Sequence, residues 1–116
     1  MIQHSGLTLE RWRSFDRDRQ VLMIANEMHR GSRLEEPEAL RRCYERVLRL
    51  ADLTAQAADR LAFRREILRW RDLIAELYLD PGLAPGRHRQ LLHCLLLMTP
   101  VAARQRPYVL PGEPAP

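Results

Sequence analysis

The residues of this chain best able to do chemistry are its arginines and histidines. The run Arg87-His88-Arg89-Gln90-Leu91-Leu92-His93 sets an arginine six positions before a histidine. A guanidinium can hold phosphate charge, and an imidazole can move a proton near neutral pH. On a regular helix two residues six apart point about 120° away from each other. Arg87 is therefore expected just outside the helix, after Gly86, with His93 on a polar flank beside Arg89 and Gln90. Arg64 and Arg71 form a second candidate pair, placed between two apolar strips of one segment. A guanidinium left dry and unpaired costs several kcal/mol, so each must reach solvent, a carboxylate or an anionic ligand. Glu27, Asp72 and Glu76 are the candidate acids, and a structural salt bridge is the simplest outcome, with an anion site as the alternative.

The remaining chemical groups point to structure. His88 is the centre of a stripe with Leu91, Leu92 and Leu95, and His29 also lies on an apolar arc, so both are expected as hydrogen-bonded core histidines. Cys43 and Cys94 fit neither a metal-binding pair nor a redox motif and are expected as two small buried thiols. No two histidines, and no histidine and acid, stand at the i,i+4 spacing of a helical metal site. A Gly-rich phosphate loop, a nucleophile elbow and a paired-carboxylate motif are all missing, so neither a metal nor a cofactor is expected.

The seven residues from Arg87 to His93 resemble the pattern of the HEPN domains: Arg, a polar residue, a four-residue gap, then His. HEPN domains are small helical bundles, many of them dimeric metal-independent ribonucleases or toxin-system partners. The resemblance implies that Arg and His from two protomers converge on an RNA phosphodiester. Arg87 would then stabilise phosphate charge and His93 would act in proton transfer. It covers seven of the 116 residues.

Length and composition bound the rest. At 116 residues and 46% hydrophobic content the chain supports one compact domain with a real core. Charged residues at 29% with only five glycines exclude wholesale disorder, a collagenous repeat and a disulfide scaffold. The longest apolar run, Cys94 to Met98, is five residues, far short of a membrane span. The opening Met-Ile-Gln-His-Ser-Gly lacks the basic-then-apolar order of a signal peptide, which points to a cytoplasmic protein. The net charge of +4 invites a nucleic-acid reading. All the basic residues are arginine, however, a skew that a GC-rich genome produces unaided, and the excess is spread along the chain instead of forming one block.

Periodicity places these residues on helices. Leu7, Leu9, Trp12 and Phe15 predict a short opening helix capped by Thr8, followed by a second helix capped by Asp16 or Ser14 and closed by Gly31 as a C′ glycine. On the second helix Val21, Leu22, Ile24, Ala25, Met28 and His29 share one arc, opposite Met23, Asn26, Glu27 and Arg30. Pro37 opens a strongly amphipathic helix to about Ala58, with Leu40, Cys43, Tyr44, Val47, Leu48, Leu50, Ala51, Thr54 and Ala55 inward. Its charged side carries Glu38–Arg42, Arg41–Glu45 and Glu45–Arg49 at i,i+4 spacing. A turn near Ala57–Asp59, with Asp59 as N-cap, leads into a fourth helix ending at Leu79. A loop from Asp80 to Gly86 follows, then a helix over about 87–98 and a short turn opened by Thr99-Pro100. Pro107, Pro111, Pro114 and Pro116 predict an extended or disordered tail over 107–116. The expected architecture is a single all-α domain over 1–106, a small up-down bundle of about four main helices with short terminal helices.

The Asp59–Leu79 segment carries the main functional expectation. Phe63, Ile67, Trp70, Leu73, Ile74, Leu77 and Tyr78 form its core arc. A narrower strip, Leu61, Leu68, Ala75 and Leu79, lies about 140° away, and its first three members keep the seven-residue spacing of a helix–helix seam. A helix apolar on two sides needs two neighbours, within its own bundle or from another chain. This strip, with Trp12 and Phe15, is the expected interaction surface of a non-enzymatic, self-associating protein. The alternative is an RNA-acting protein, HEPN-like or otherwise, using Arg64, Arg71, Arg87 and His93.

Overall fold

The computed structural model describes residues 7–84 and 86–110. Seven helices fill them in the order α1 (Leu9–Arg13), α2 (Arg17–Gly31), α3 (Pro37–Ala57), α4 (Leu61–Leu79), α5 (Gly86–Leu96), α6 (Pro100–Arg104) and α7 (Arg106–Val109), with a 3₁₀ turn at Pro81–Leu83. The four long ones close a ring in which α2 packs on α3, α3 on α4, α4 on α5 and α5 back on α2. This is the small all-α bundle that the periodicity predicts. None of the described helices is long and apolar enough to cross a membrane.

Side-chain caps set several of the boundaries. Thr8 accepts from the Arg11 amide, Asp16 from the Arg19 amide and Thr99 from the Ala102 amide, each satisfying a donor that the first helical turn leaves free. The start of α4 differs from expectation. Its N-cap position is Arg60, without a side-chain cap, while Asp59 stands one residue earlier, 3.9 Å from Arg17. Gly31 differs too. It is the last residue of α2 and not a C′ glycine, and its lack of a side chain serves packing: a Cβ there would lie 2.6 Å from Cys43 Sγ and 3.2 Å from His88 Cε1.

The core runs through all four long helices, from Val21, Ile24 and Met28 through Tyr44, Val47 and Leu50 to Ile67, Trp70, Ile74, Leu92 and Leu95. Four side chains depart from their expected places. Leu73 is exposed, because it points to the rim of α4 beside α5, and Cys94 is exposed on the outer side of α5. Glu27, expected on the solvated side of α2, is buried, because Arg46 and Arg30 both meet its carboxylate at 3.1 Å. His29 is only half-buried.

The i,i+4 ion pairs expected on α3 give way to one i,i+3 pair and to contacts with Tyr78 of α4. Arg41 bonds Glu38 and the Tyr78 carbonyl, and Glu45 accepts from the Tyr78 hydroxyl. The chain end also departs from expectation. Residues 106–109 form a single helical turn and Leu110 is buried against the core. Pro107 sits in the first turn of α7, where its missing N–H removes no hydrogen bond. The expected tail beyond it, with Pro111, Pro114 and Pro116, lies outside the described residues, as does the opening Met1–Gly6 segment.

Candidate functional site

The two faces of α4 have opposite fates. Phe63, Ile67, Trp70, Ile74 and Leu77 are buried, with the Trp70 indole N–H donating to the Leu91 carbonyl at 2.7 Å. On the opposite face Leu61 is 59% exposed, Leu68 41% and Leu79 77%, and Ala75 is half-buried between them. No described helix covers this strip, so α4 has its second apolar side turned outward from the bundle.

Trp12 and Phe15 do not belong to such a surface. Trp12 is fully buried and donates from its indole nitrogen to Thr54 Oγ1 at 3.0 Å. Phe15 packs edge-on against it with ring centroids 5.8 Å apart. The buried Gln20 amide then donates to the carbonyls of both Trp12 and Phe15. A single aromatic anchor with a polar handle fixes α1 across the C-terminal half of α3, and it is a core element.

Arg64 and Arg71 are clamps between α4 and α3. Arg64 Nε donates to the Ala55 carbonyl at 2.9 Å, at the C-terminal turn of α3, where unpaired carbonyls and the helix dipole favour a cation. Arg71 Nε meets Asp52 Oδ1 at 2.9 Å, and its guanidinium also lies 3.8 Å from Asp72. Of the three acids expected to serve these arginines, only Asp72 touches one. Glu27 is held by Arg30 and Arg46, and Glu76 accepts from Arg87 at 3.0 Å. Asp52 is the partner that spacing does not reveal, because it comes from another helix.

Arg87 and His93 line one open groove of about 680 Å³ over the outer side of α5, together with Leu73, Gln90 and Cys94. Arg87 is the second residue of α5 and not outside it; its reach from the first helical turn brings its guanidinium to Glu76. His93 Nδ1 is buried and makes no hydrogen bond among the described residues. Arg64 and Arg71 do not line this groove, so the four residues of the RNA reading split into two places.

His88, by contrast, is the centre of a buried polar knot. The Met28 carbonyl, which can only accept, lies 2.7 Å from Nε2, so Nε2 carries the proton and Nδ1 accepts from the Tyr44 hydroxyl at 2.7 Å. Burial holds the His88 pKa below its ordinary value and raises that of Tyr44. Burial, reinforced by Glu27, pushes the neighbouring Cys43 thiol up to about 11. These shifts keep all three groups neutral, which suits a structural knot and leaves no activated nucleophile. Among the described residues no group of histidine, cysteine and acids is placed to hold a metal ion.

No protein-family model matches the chain, and neither a curated protein nor a solved structure matches it.

Proposed function

We propose that this protein is a non-enzymatic interaction module that self-associates through the outer face of α4. The observation that carries the reading is the row of exposed leucines, Leu61, Leu68 and Leu79, on the side of α4 opposite its core face. A row of this kind at helical spacing is what one helix offers another, and covering it removes apolar surface from water on both sides. Both cysteines are free thiols, which suits a reducing compartment such as the cytoplasm.

Light scattering after size exclusion tests the proposal on the wild type and on Leu68→Glu. The wild type is expected as a dimer. The variant, with a carboxylate forced into an apolar seam, is expected to associate on the order of a hundred-fold more weakly with unchanged helicity. A wild type that stays monomeric up to millimolar concentration, or an unaffected variant dimer, overturns the reading.

A second reading, an RNA-acting protein with Arg87 and His93 as its working pair, is favoured by one observation: both residues line a single groove, and the buried Nδ1 of His93 makes no hydrogen bond among the described residues. Phosphate contacts must give a steep salt dependence of RNA binding, so a titration with generic RNA tests it. No binding at low salt removes this reading, and nuclease activity that survives His93→Ala removes its HEPN-like form.

A further inference from the structure

The charges beside the α4 strip specify how a second copy would lie on it. Arg65 and Asp72 flank the exposed leucines on the same side of the strip, about 40° and 20° from Leu61 around the helix, and both are exposed. Of the other charged groups near the strip, Arg64 is engaged with the Ala55 carbonyl, Arg71 with Asp52 and Glu76 with Arg87, while the exposed Arg69 lies farther round the helix, about 80° from Leu61. Arg65 makes no hydrogen bond or ion pair among the described residues, and Asp72 has only the 3.8 Å contact with Arg71.

We infer that two copies pair through α4 in antiparallel fashion, about a two-fold axis near Leu68, with Arg65 of each copy facing the partner's Asp72. This inference rests on the self-association reading above.

The geometry argues for this direction over the parallel one. An antiparallel pair centred between residues 68 and 70 brings Leu61 within one turn of the partner's Leu79, Leu68 within one turn of the partner's Leu68, and Arg65 within one turn of the partner's Asp72. The three leucines of the strip are covered, and Arg65 and Asp72 each gain an opposite charge. A parallel pair in register would put the Arg65 and Asp72 flank of one copy on the opposite side of the seam from that of the other, so neither charge would gain an opposite. The strip spans most of α4, a helix of 19 residues, and so about 28 Å. A seam of one such helix per copy lies at the small end of stable interfaces, so a dimer in exchange with monomer is expected.

The test measures the dimer dissociation constant by sedimentation for the wild type, Arg65→Glu, Asp72→Arg and the double variant. Two-fold symmetry places each substitution at two contacts. Each single variant is therefore expected to bind about ten-fold more weakly, and the double variant to return to within about two-fold of the wild type. Equal mixtures of Leu61→Cys and Leu79→Cys chains, in a Cys94→Ser background, are expected to oxidise to the mixed disulfide. A dimer that Leu68→Glu disrupts but that the charge reversals leave unchanged, or one that links Leu61→Cys to itself, overturns the antiparallel arrangement and leaves self-association standing. A wild type monomeric up to millimolar concentration overturns both.

Discussion

Tyr44 and His88 are joined at 2.7 Å, 44 positions apart in sequence, by a hydrogen bond whose direction is set by a third residue. Because the Met28 carbonyl accepts from Nε2, the imidazole can only accept from Tyr44, and the ring is fixed in one neutral tautomer. This knot ties α3 and α5 to the end of α2. Tyr44→Phe leaves His88 Nδ1 buried without a donor and is expected to cost about 1–3 kcal/mol in urea unfolding at pH 7.5. A loss below a few tenths of a kcal/mol would show that the bond contributes nothing.

The same histidine sets an acid limit. Burial lowers the pKa of folded His88 below its ordinary 6.5, whereas the unfolded chain keeps that ordinary value. Above about pH 6.5 both states are neutral and the stability is fully present. As pH falls below 6.5 the unfolded chain binds a proton that the folded state refuses, and stability drops by at most about 1.4 kcal/mol per pH unit. Urea midpoints between pH 7.5 and 5 are expected to fall for the wild type and to fall much less for His88→Gln. Equal slopes in the two proteins would assign the acid sensitivity to other groups.

Gly31 and Cys43 should be strongly coupled. The Cβ introduced by Gly31→Ala meets Cys43 Sγ at 2.6 Å, and both sit in a packed core with little room to yield. Gly31→Ala is expected to destabilise by about 1–3 kcal/mol. In a Cys43→Ala background the 2.6 Å clash is gone and only the 3.2 Å approach to His88 Cε1 remains, so the same substitution should cost clearly less. A double-mutant cycle read by denaturant unfolding checks this, and additive effects would disprove the contact.

Two interhelical ion pairs, Arg46–Glu27 and Arg71–Asp52, differ in burial and should differ in consequence. Glu27 has 9% of its side chain exposed and serves both Arg46 and Arg30, whereas Asp52 and Arg71 are exposed by 43% and 33%. Removing the partner of a buried charge strands it, whereas an exposed charge is taken up by water. Arg46→Ala, which leaves the buried Glu27 carboxylate with Arg30, is expected to cost about 2–4 kcal/mol, and Asp52→Ala, which leaves the part-exposed Arg71, less than about 1 kcal/mol, by the same unfolding measurement. Comparable losses would mean that burial does not govern these pairs.

Much of this fold is written in local pattern. The arc from Leu40 to Ala55, the caps at Thr8, Asp16 and Thr99, and the second apolar strip from Leu61 to Leu79 all follow from spacing within one helix, whereas the exposure of that strip is decided by the packing of the others. What spacing leaves out is everything decided between helices. Asp52 meets Arg71 and Glu27 meets Arg46 across 19 positions, Tyr44 meets His88 across 44, and Trp12 leaves the surface for Thr54 across 42. Gly31 reads as a terminator because glycine commonly ends helices, yet here it serves close approach. The candidate site divides the same way. The leucine row is legible as a helical wheel, while Arg87 and His93 share a groove that only the assembled surface defines.

The two thiols give a direct measure of how tightly the bundle closes. Cys94 is exposed on α5, whereas Cys43 is buried, donates to the Glu27 carbonyl at 3.5 Å and has its pKa pushed up to about 11. The thiolate is the reactive species, so burial and the raised pKa both protect Cys43. A thiol reagent at pH 8 is expected to modify Cys94 promptly and Cys43 only when the α2–α3 packing opens. If the core opens as one unit, the rate at Cys43 should follow global unfolding and rise in step with the destabilisation caused by Tyr44→Phe. Labelling of both cysteines at similar rates, by intact mass spectrometry, would mean that the α2–α3 seam opens locally and that the knot around His88 does not hold it.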